Sequence, residues 1–399
     1  MRVVLIKGRS AYDALRAFTD GCAEAFRRRG FDTTIIDAAE SAEVGPAVAA
    51  AAADGPVRMV HSFSILGDYR DESGRSVGDI AGAPHVIQLV DHPLAHMMRL
   101  DRTSRSAAVL VVDHSHVDAI RSVYGADHFA HVGFCPHAAV GDPASGEPDA
   151  DAFAAARPIP ILFCGTFYKD ETPPWAAFEP RVRRVFDQAL EMALAEEFLP
   201  ALEALDRAMR SAGLDPAGAG FHDFRRNAVF VHEQVRAHRR FALLKAVIKA
   251  GLPVHVYGKG YESQLYRFKA ATYGGEADFA EVTQLMRRSR VVLNINANFG
   301  QGSHERPLTA LLAGAAAASD HSTFYAEMFR PGEDIALYRW KSLAEGLSTI
   351  ADLAESPEAA FSMARAGQAR VIAGHRWDHR IDTLLAAADA SRARLGVAA

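Results

Sequence analysis

"VVLNINANFGQGSHERPLTALLAGAAAASD", residues 291–320, decides the fold class. Its apolar start reads as a buried strand that ends over residues 294–296, followed by a polar loop with glycines and a short helix that stops at Gly314. Pro307 suits the first helical turn, where its missing amide hydrogen costs nothing. A strand feeding a helix through such a loop is the unit of a parallel α/β sheet, and it brings unpaired backbone amides to the sheet's C-terminal edge.

The same alternation extends outward from this unit. Strand-like runs occur at 159–164, 253–257, 315–319 and 335–338, so the second half is an α/β domain. A helical region over 175–250, broken near "GLDPAGAG", is an insertion between its first two strands. The stretch "GDPASGEPDADAFAAARP", rich in Pro, Gly, Ala and Asp, reads as the interdomain linker. Before it, runs at 3–7, 32–37, 58–62, 85–89, 108–112 and 129–133 predict a first α/β domain. Its first helix spans 11–29, with Leu15, Phe18, Cys22 and Phe26 at helical spacing and Gly30 as its stop. A last helix from 377 to about 395 follows Gly374 and is expected to pack back on the N-terminal domain. The domains are thus predicted as 1–156 with 377–399, and 157–376.

Composition narrows the class further. With 399 residues, 49% hydrophobic and 23% charged, the chain matches a two-domain globular enzyme rather than a disordered protein. The 44 basic and 49 acidic residues are interspersed, for a net charge of -5, which argues against a nucleic-acid partner. The arginine runs Arg27 to Arg29 and Arg183 to Arg184 read as solvated helix faces. No run reaches the roughly 18 apolar residues of a membrane span, and the start reads as a strand rather than an export signal, so a cytoplasmic protein is expected. Three widely spaced cysteines offer no disulfide framework or zinc motif. The pairs His92 with His96 and His114 with His116 have metal-ligand spacing but no evident third ligand, so no metal and no cofactor are expected.

The loop of the opening stretch carries the most chemistry. A helix N-terminus with unpaired amides suits a phosphate, and the C-terminal edge of an open α/β sheet is where ligands bind. Gly300 and Gly302 allow close backbone approach, Ser303 stands beside them in the loop, and His304 and Arg306 add donors, the arginine as a planar fork. The plainer reading is that His304, Glu305 and Arg306 only cap a helix. Two further glycine turns at strand ends favour the ligand reading: "FCGTF" with Gly165 and Thr166, and "VYGKGY" with Gly258 and Lys259.

These segments carry a resemblance. From residue 159 onward, "ILFCGTF", "VHVYGKGY", "YGGEADFAEVTQLMRRSRVVLNINAN" and "GSHERPLTALLAGAAAASD" resemble the C-terminal domain of the CgeB-like (spore maturation protein B-like) glycosyltransferases. The first half resembles the family more loosely, through "QLVDHP" and "GFCPHAA". The resemblance implies a GT-B fold, with two Rossmann-like domains facing each other across a cleft. It also implies a nucleoside diphosphate sugar as donor substrate, with His304 and Arg306 at its diphosphate. Relatives carry a glutamate three residues after the arginine, suited to ribose hydroxyls, where this chain has Thr309. A threonine offers one hydroxyl in place of two acceptor oxygens, so the donor's identity and the stereochemistry of transfer both stay open.

An inverting transferase needs a base, usually from an N-terminal loop. Asp91 leads, ending the fourth strand beside His92 and held by Pro93; Asp13 and Asp68 follow the first and third strands. For Asp91 the plainer reading is a cap or turn, and for Asp13 a first-turn helix acid. His137, in "CPHAA", is either a cleft residue or an interdomain contact. The expected activity is sugar transfer to an unidentified glycan, protein or small molecule. Its rivals are a sugar-nucleotide epimerase or hydrolase of the same fold and a catalytically silent sugar-nucleotide-binding protein.

Overall fold

The apolar runs of the first half assemble into one parallel sheet: β1 (Arg2–Lys7), β2 (Asp32–Asp37), β3 (Val57–Phe63), β4 (His85–Leu89), β5 (Ala108–Val111) and β6 (His131–Phe134), in the order β2-β1-β3-β4-β5-β6. Val3, Val4, Leu5 and Ile6 of β1 are all buried, as expected of a parallel strand covered on both faces. The second sheet holds β7 (Ile159–Cys164), β8 (Val254–Tyr257), β9 (Ala271–Tyr273), β10 (Ser289–Asn294), β11 (Ala316–Asp320) and β12 (Ala336–Tyr338). Its order is β12-β11-β10-β7-β8-β9, and every pairing is parallel. This is a computed structural model, and it describes residues 1–40, 43–65, 69–166, 172–261, 271–296 and 298–394.

The chain divides into two units, Met1–Gly141 with His375–Ala399, and Asp142–Gly374. The crossing at Gly141 lies earlier than the sequence predicts. The proline- and alanine-rich segment after it is part of the second unit: Asp149 caps the helix Ala150–Ala156, whose Phe153 is fully buried. The neighbouring Arg157 donates to the carbonyls of Met286, Ser289 and Ala313. Composition marked a linker, but two anchors, a phenylalanine and an arginine, sufficed to fold it down.

The returning C-terminal segment belongs to the first unit. The Ala139 amide donates to the His375 carbonyl, and Trp377 packs edge-on against Phe63 at 5.2 Å. Gly21 is required there, because a Cβ at that position would lie 2.8 Å from the Trp377 ring. Arg28 and Arg29, read from sequence as a solvated face, pair with Asp378 and Asp382 of this segment. The final helix is Ile381–Arg394.

Other differences are local. The first helix begins only at Ala14, because Tyr12 and Asp13 take left-handed backbone angles. The short β9 was not foreseen, since three residues, "ATY", are too few to show a period. The helical region between β7 and β8 comprises Pro180–Ala195, Ala201–Ser211, His222–Arg226 and Ala228–Lys249 as its α-helices, with the break where "GLDPAGAG" stands. No helix among the described residues is long and apolar enough to cross a membrane.

Two histidines in the first sheet give this unit a pH signature. His61 and His85 are fully enclosed; burial pushes the first down to about 4 and the second to about 3. His61 keeps Nδ1 on the Val86 carbonyl, and His85 Nε2 meets the Ser62 hydroxyl. Both are neutral when folded but titrate near 6.5 when unfolded, so the stability they provide is complete above pH 6.5 and is lost as pH falls. Between pH 6.5 and 5 each should cost roughly 2 kcal/mol. Denaturation followed at Trp377 should therefore show this unit weaker at pH 5 than at pH 7, and a flat profile would contradict the assignment.

Candidate active site

The second sheet has the strand order of a dinucleotide-binding fold, whose direction reverses between β7 and β10. Ligands bind at such a switch point, outside the C-terminal strand ends. Gly165 and Thr166 leave β7 there, and the loop of residues 295–304 leaves β10. Gly258 follows β8, with φ of 136°, and a Cβ on it would fall 2.2 Å from the Gly165 carbonyl oxygen. The two glycine turns thus touch backbone to backbone, a contact no other residue permits. Lys259 beside them is exposed, and the Thr166 carbonyl accepts from Arg240 at 2.5 Å.

The loop after β10 is tied down through Asn296. The Asn296 amide donates to Asp320 Oδ1 at 2.5 Å, and its side-chain nitrogen donates to the carbonyls of Phe299 and Gly302 at 2.7 and 3.1 Å. Gly302 and Ser303 are buried, and the chain then enters the helix Glu305–Leu312 with His304 as its N-cap. Tyr325, itself fully buried, holds that cap from outside: its hydroxyl accepts from the His304 amide and donates to the His304 carbonyl, each at 2.9 Å. Burial raises the Tyr325 hydroxyl's pKa and keeps it neutral.

His304 Nδ1 lies 2.6 Å from Glu305 Oε2 and 3.3 Å from the Arg306 amide nitrogen. One nitrogen cannot donate to the first and accept from the second at once. The tautomer of His304 decides which of the two contacts is made, and the shorter one, to a carboxylate, is the stronger. Arg306 places Nη1 on Asn294 Oδ1 at 2.8 Å, and Asn294 is in turn held by Ser319 and Tyr338. The guanidinium is therefore aimed by the strand end. Thr309 is 1% exposed, so its hydroxyl stays within the fold.

In the first unit the strand order reverses between β1 and β3. Among the described residues, positive φ outside glycine occurs only at Tyr12 and Asp13 after β1, Ser64 and Ile65 after β3, and Asn298 after β10. Such strain persists where the surrounding structure over-determines it, and it gathers at functional sites. Asp13 sits in this strained turn with its side chain exposed; it is the acid in the first turn of the 3-10 helix Ala11–Asp13, as the plainer reading has it, and the N-cap residue of the helix that follows. Asp91, also exposed, follows β4 and lies 3.8 Å from His96 Nε2. His92 is different: buried, it accepts from the Leu94 amide through Nδ1 and packs on His116 at 4.5 Å, so the structure uses it as a cap. Asp68 lies outside the described residues. His137 is buried and gives its carbonyl to Arg380. Among the described residues no three His, Cys, Asp or Glu side chains are grouped to hold a metal.

The residues that scaffold this edge, Asn296, Asp320, Tyr325 and Arg239, were not singled out in the sequence. Asn296 and Asp320 both belong to residues 291–320, and the Asn-X-Asn context of the first at a strand end is the available signal.

Comparison with known proteins bears on the fold and the class of protein. A glycosyl transferase-like family matches residues 236–386. Sucrose-phosphate synthase of Thermosynechococcus elongatus is similar in structure at 11% identity, covering 99% of this chain and 99% of its own, with a TM-score of 0.51. The fold is GT-B. An α-glucosyltransferase, solved in complex with UDP-glucose and DNA containing an abasic site, is similar at 13% identity over 96% of this chain and 99% of its own, also with a TM-score of 0.51. No curated protein matches in sequence.

Removing the Tyr325 hydroxyl should loosen the cap. Tyr325→Phe leaves the His304 amide and carbonyl without their shared partner and should cost about 1–3 kcal/mol in chemical denaturation. An unchanged midpoint would show that the cap is held by something else.

Proposed function

We propose that this chain is a glycosyltransferase that moves a sugar from a nucleoside diphosphate sugar to an acceptor, with the donor's diphosphate at the β7–β10 switch point. The observation that carries this reading is the meeting of the Gly165 turn, the N-terminus of Glu305–Leu312 and the aimed Arg306 at one place. A departing diphosphate needs its charge stabilised as the bond to the sugar breaks, and preorganised amides with a guanidinium do this without reorganising. No metal is invoked in the reaction. The matched glycosyl transferase-like segment covers the helix and Arg306, which supports the reading. UDP-glucose, present in one structural neighbour, is the first donor to test.

Membership of the CgeB-like group is the finer form of this proposal and rests on the motifs at Gly165, Gly258 and His304. The acceptor is proposed to be a glycan, a protein or a small molecule; the net charge of -5 offers no basic footprint for nucleic acid. A cytoplasmic site of action goes with this reading.

Arg306→Ala should weaken nucleoside diphosphate binding by about 1.5–3 kcal/mol, the range of a charged hydrogen bond, in calorimetry with chelator present. Equal affinity in the variant would remove the diphosphate from this arginine. Conversion of the donor without acceptor would indicate the epimerase or hydrolase, and binding with no diphosphate release would indicate the silent protein.

For the base, the strained junction at the first switch point moves Asp13 ahead of Asp91. Asp13→Asn keeps size and removes the basic oxygen, so turnover should fall by about two to four orders of magnitude with donor affinity preserved. Full activity in Asp13→Asn together with loss in Asp91→Asn would restore Asp91.

A further inference from the structure

A shallow recess opens at the ends of β10, β11 and β12, with about 240 Å³ of empty space when the solvent at its mouth is included. It is lined by Asn296, Asp320, Arg239, Trp340, Phe198 and His321. Nothing in the diphosphate site uses it, apart from Asn296, whose side-chain nitrogen holds the neighbouring loop. Two buried polar atoms of its lining have no hydrogen-bond partner: Asn296 Oδ1 and His321 Nδ1. Asn296 as a whole is 1% exposed.

Their chemistry is fixed by their other bonds. Asn296 Nδ2 donates to two carbonyls, so the amide cannot flip and Oδ1 is an acceptor. His321 Nε2 faces Arg339 Nη2 at 3.3 Å, and a guanidinium only donates, so Nε2 accepts and Nδ1 carries the hydrogen. Burial lowers the His321 pKa and favours that neutral form. One unmet acceptor and one unmet donor match a hydroxyl, which accepts and donates at once.

The walls select further. Trp340 sits beneath the Arg239 guanidinium at 5.5 Å, and Phe198, 38% exposed, lies 5.4 Å from the His321 ring. Flat aromatic faces beside hydroxyl-matched polar groups suit the C–H face of a sugar ring. A phosphate is disfavoured: Asp320 and Glu197 line the same space, and Arg239 is engaged by Asn298 Oδ1 and the carbonyls of Ala193 and Glu197. The enclosed part of the recess is no larger than a water, room for one hydroxyl group with the ring at its mouth.

We propose that this recess is a pyranose subsite, in which Asn296 and His321 share one sugar hydroxyl and Phe198 with Trp340 covers the ring. Identifying that ring with the donor's sugar rests on the proposed function; the subsite itself does not.

The test is a titration of the full chain, followed by Trp340 fluorescence, with glucose, galactose, mannose and N-acetylglucosamine. In parallel, UDP is compared with UDP-glucose and UDP-N-acetylglucosamine. At least one sugar should give a saturable change that disappears in Trp340→Phe and weakens roughly 3- to 10-fold in Phe198→Ala. His321→Gln, which keeps a polar side chain, serves as a second variant and should also weaken it. If the ring is the donor's, Phe198→Ala should lower affinity for the UDP-sugar and leave that for UDP unchanged. A free sugar that binds while UDP and UDP-sugars do not would preserve the subsite and overturn the donor reading. No saturable response from any sugar, free or nucleotide-linked, would overturn the subsite and leave the recess to a structural water.

Discussion

A carboxylate taken out of water organises the C-terminal edge of the second sheet. Asp320 ends β11 at 5% exposure, and burial pushes its carboxyl up to about 6, against the pull of Arg239. Ionising such a group costs several kcal/mol unless donors surround it. The Asn296 amide, the Ser319 hydroxyl and the Trp340 indole supply them. These donors come from the chain after β10, from β11 and from the segment after β12. Satisfying one acid therefore locks three strand ends together. From Asn296 the restraint passes through Phe299 and Gly302 to the His304 cap.

The two sheets have different strand orders and so place their switch points differently. In the first unit the reversal lies between β1 and β3, one strand off the middle of the sheet, and in the second between β7 and β10, at the middle. Non-glycine left-handed residues follow β1, β3 and β10, each a strand beside a reversal. Elsewhere among the described residues, turns needing positive φ use glycine. A chain that has glycine at its ordinary turns but accepts strain at these junctions keeps side chains there, as Asp13 shows.

Much of this was legible from residue order, because buried parallel strands write themselves as unbroken apolar runs and helix stops as glycines. The strand of 85–89 and the stop at Gly314 appear where their patterns put them. What was not legible depended on contacts distant in sequence. Arg239 reads as one arginine in "RAHRRF", yet it is 4% exposed and bonds Asn298, 59 positions away. Tyr325 looks like an ordinary apolar-face residue until His304 is placed against it. Local pattern reports which face is buried, and it does not report which polar group waits there. The segment after Gly141 failed for the converse reason: its composition is that of a linker, and its fate was set by Phe153 and Arg157 finding partners over a hundred residues later.

Thr309 gains meaning from the same packing. Position 309 is inside the helix face that covers the sheet, between Leu308 and Ala310, both fully buried. The threonine hydroxyl lies one bond beyond Cβ and is held in the interior. Thr309 is therefore a residue that serves the core. At the same edge of the sheet the polar side chains are placed differently: Lys259 is exposed after β8, and Glu305 pairs with His304.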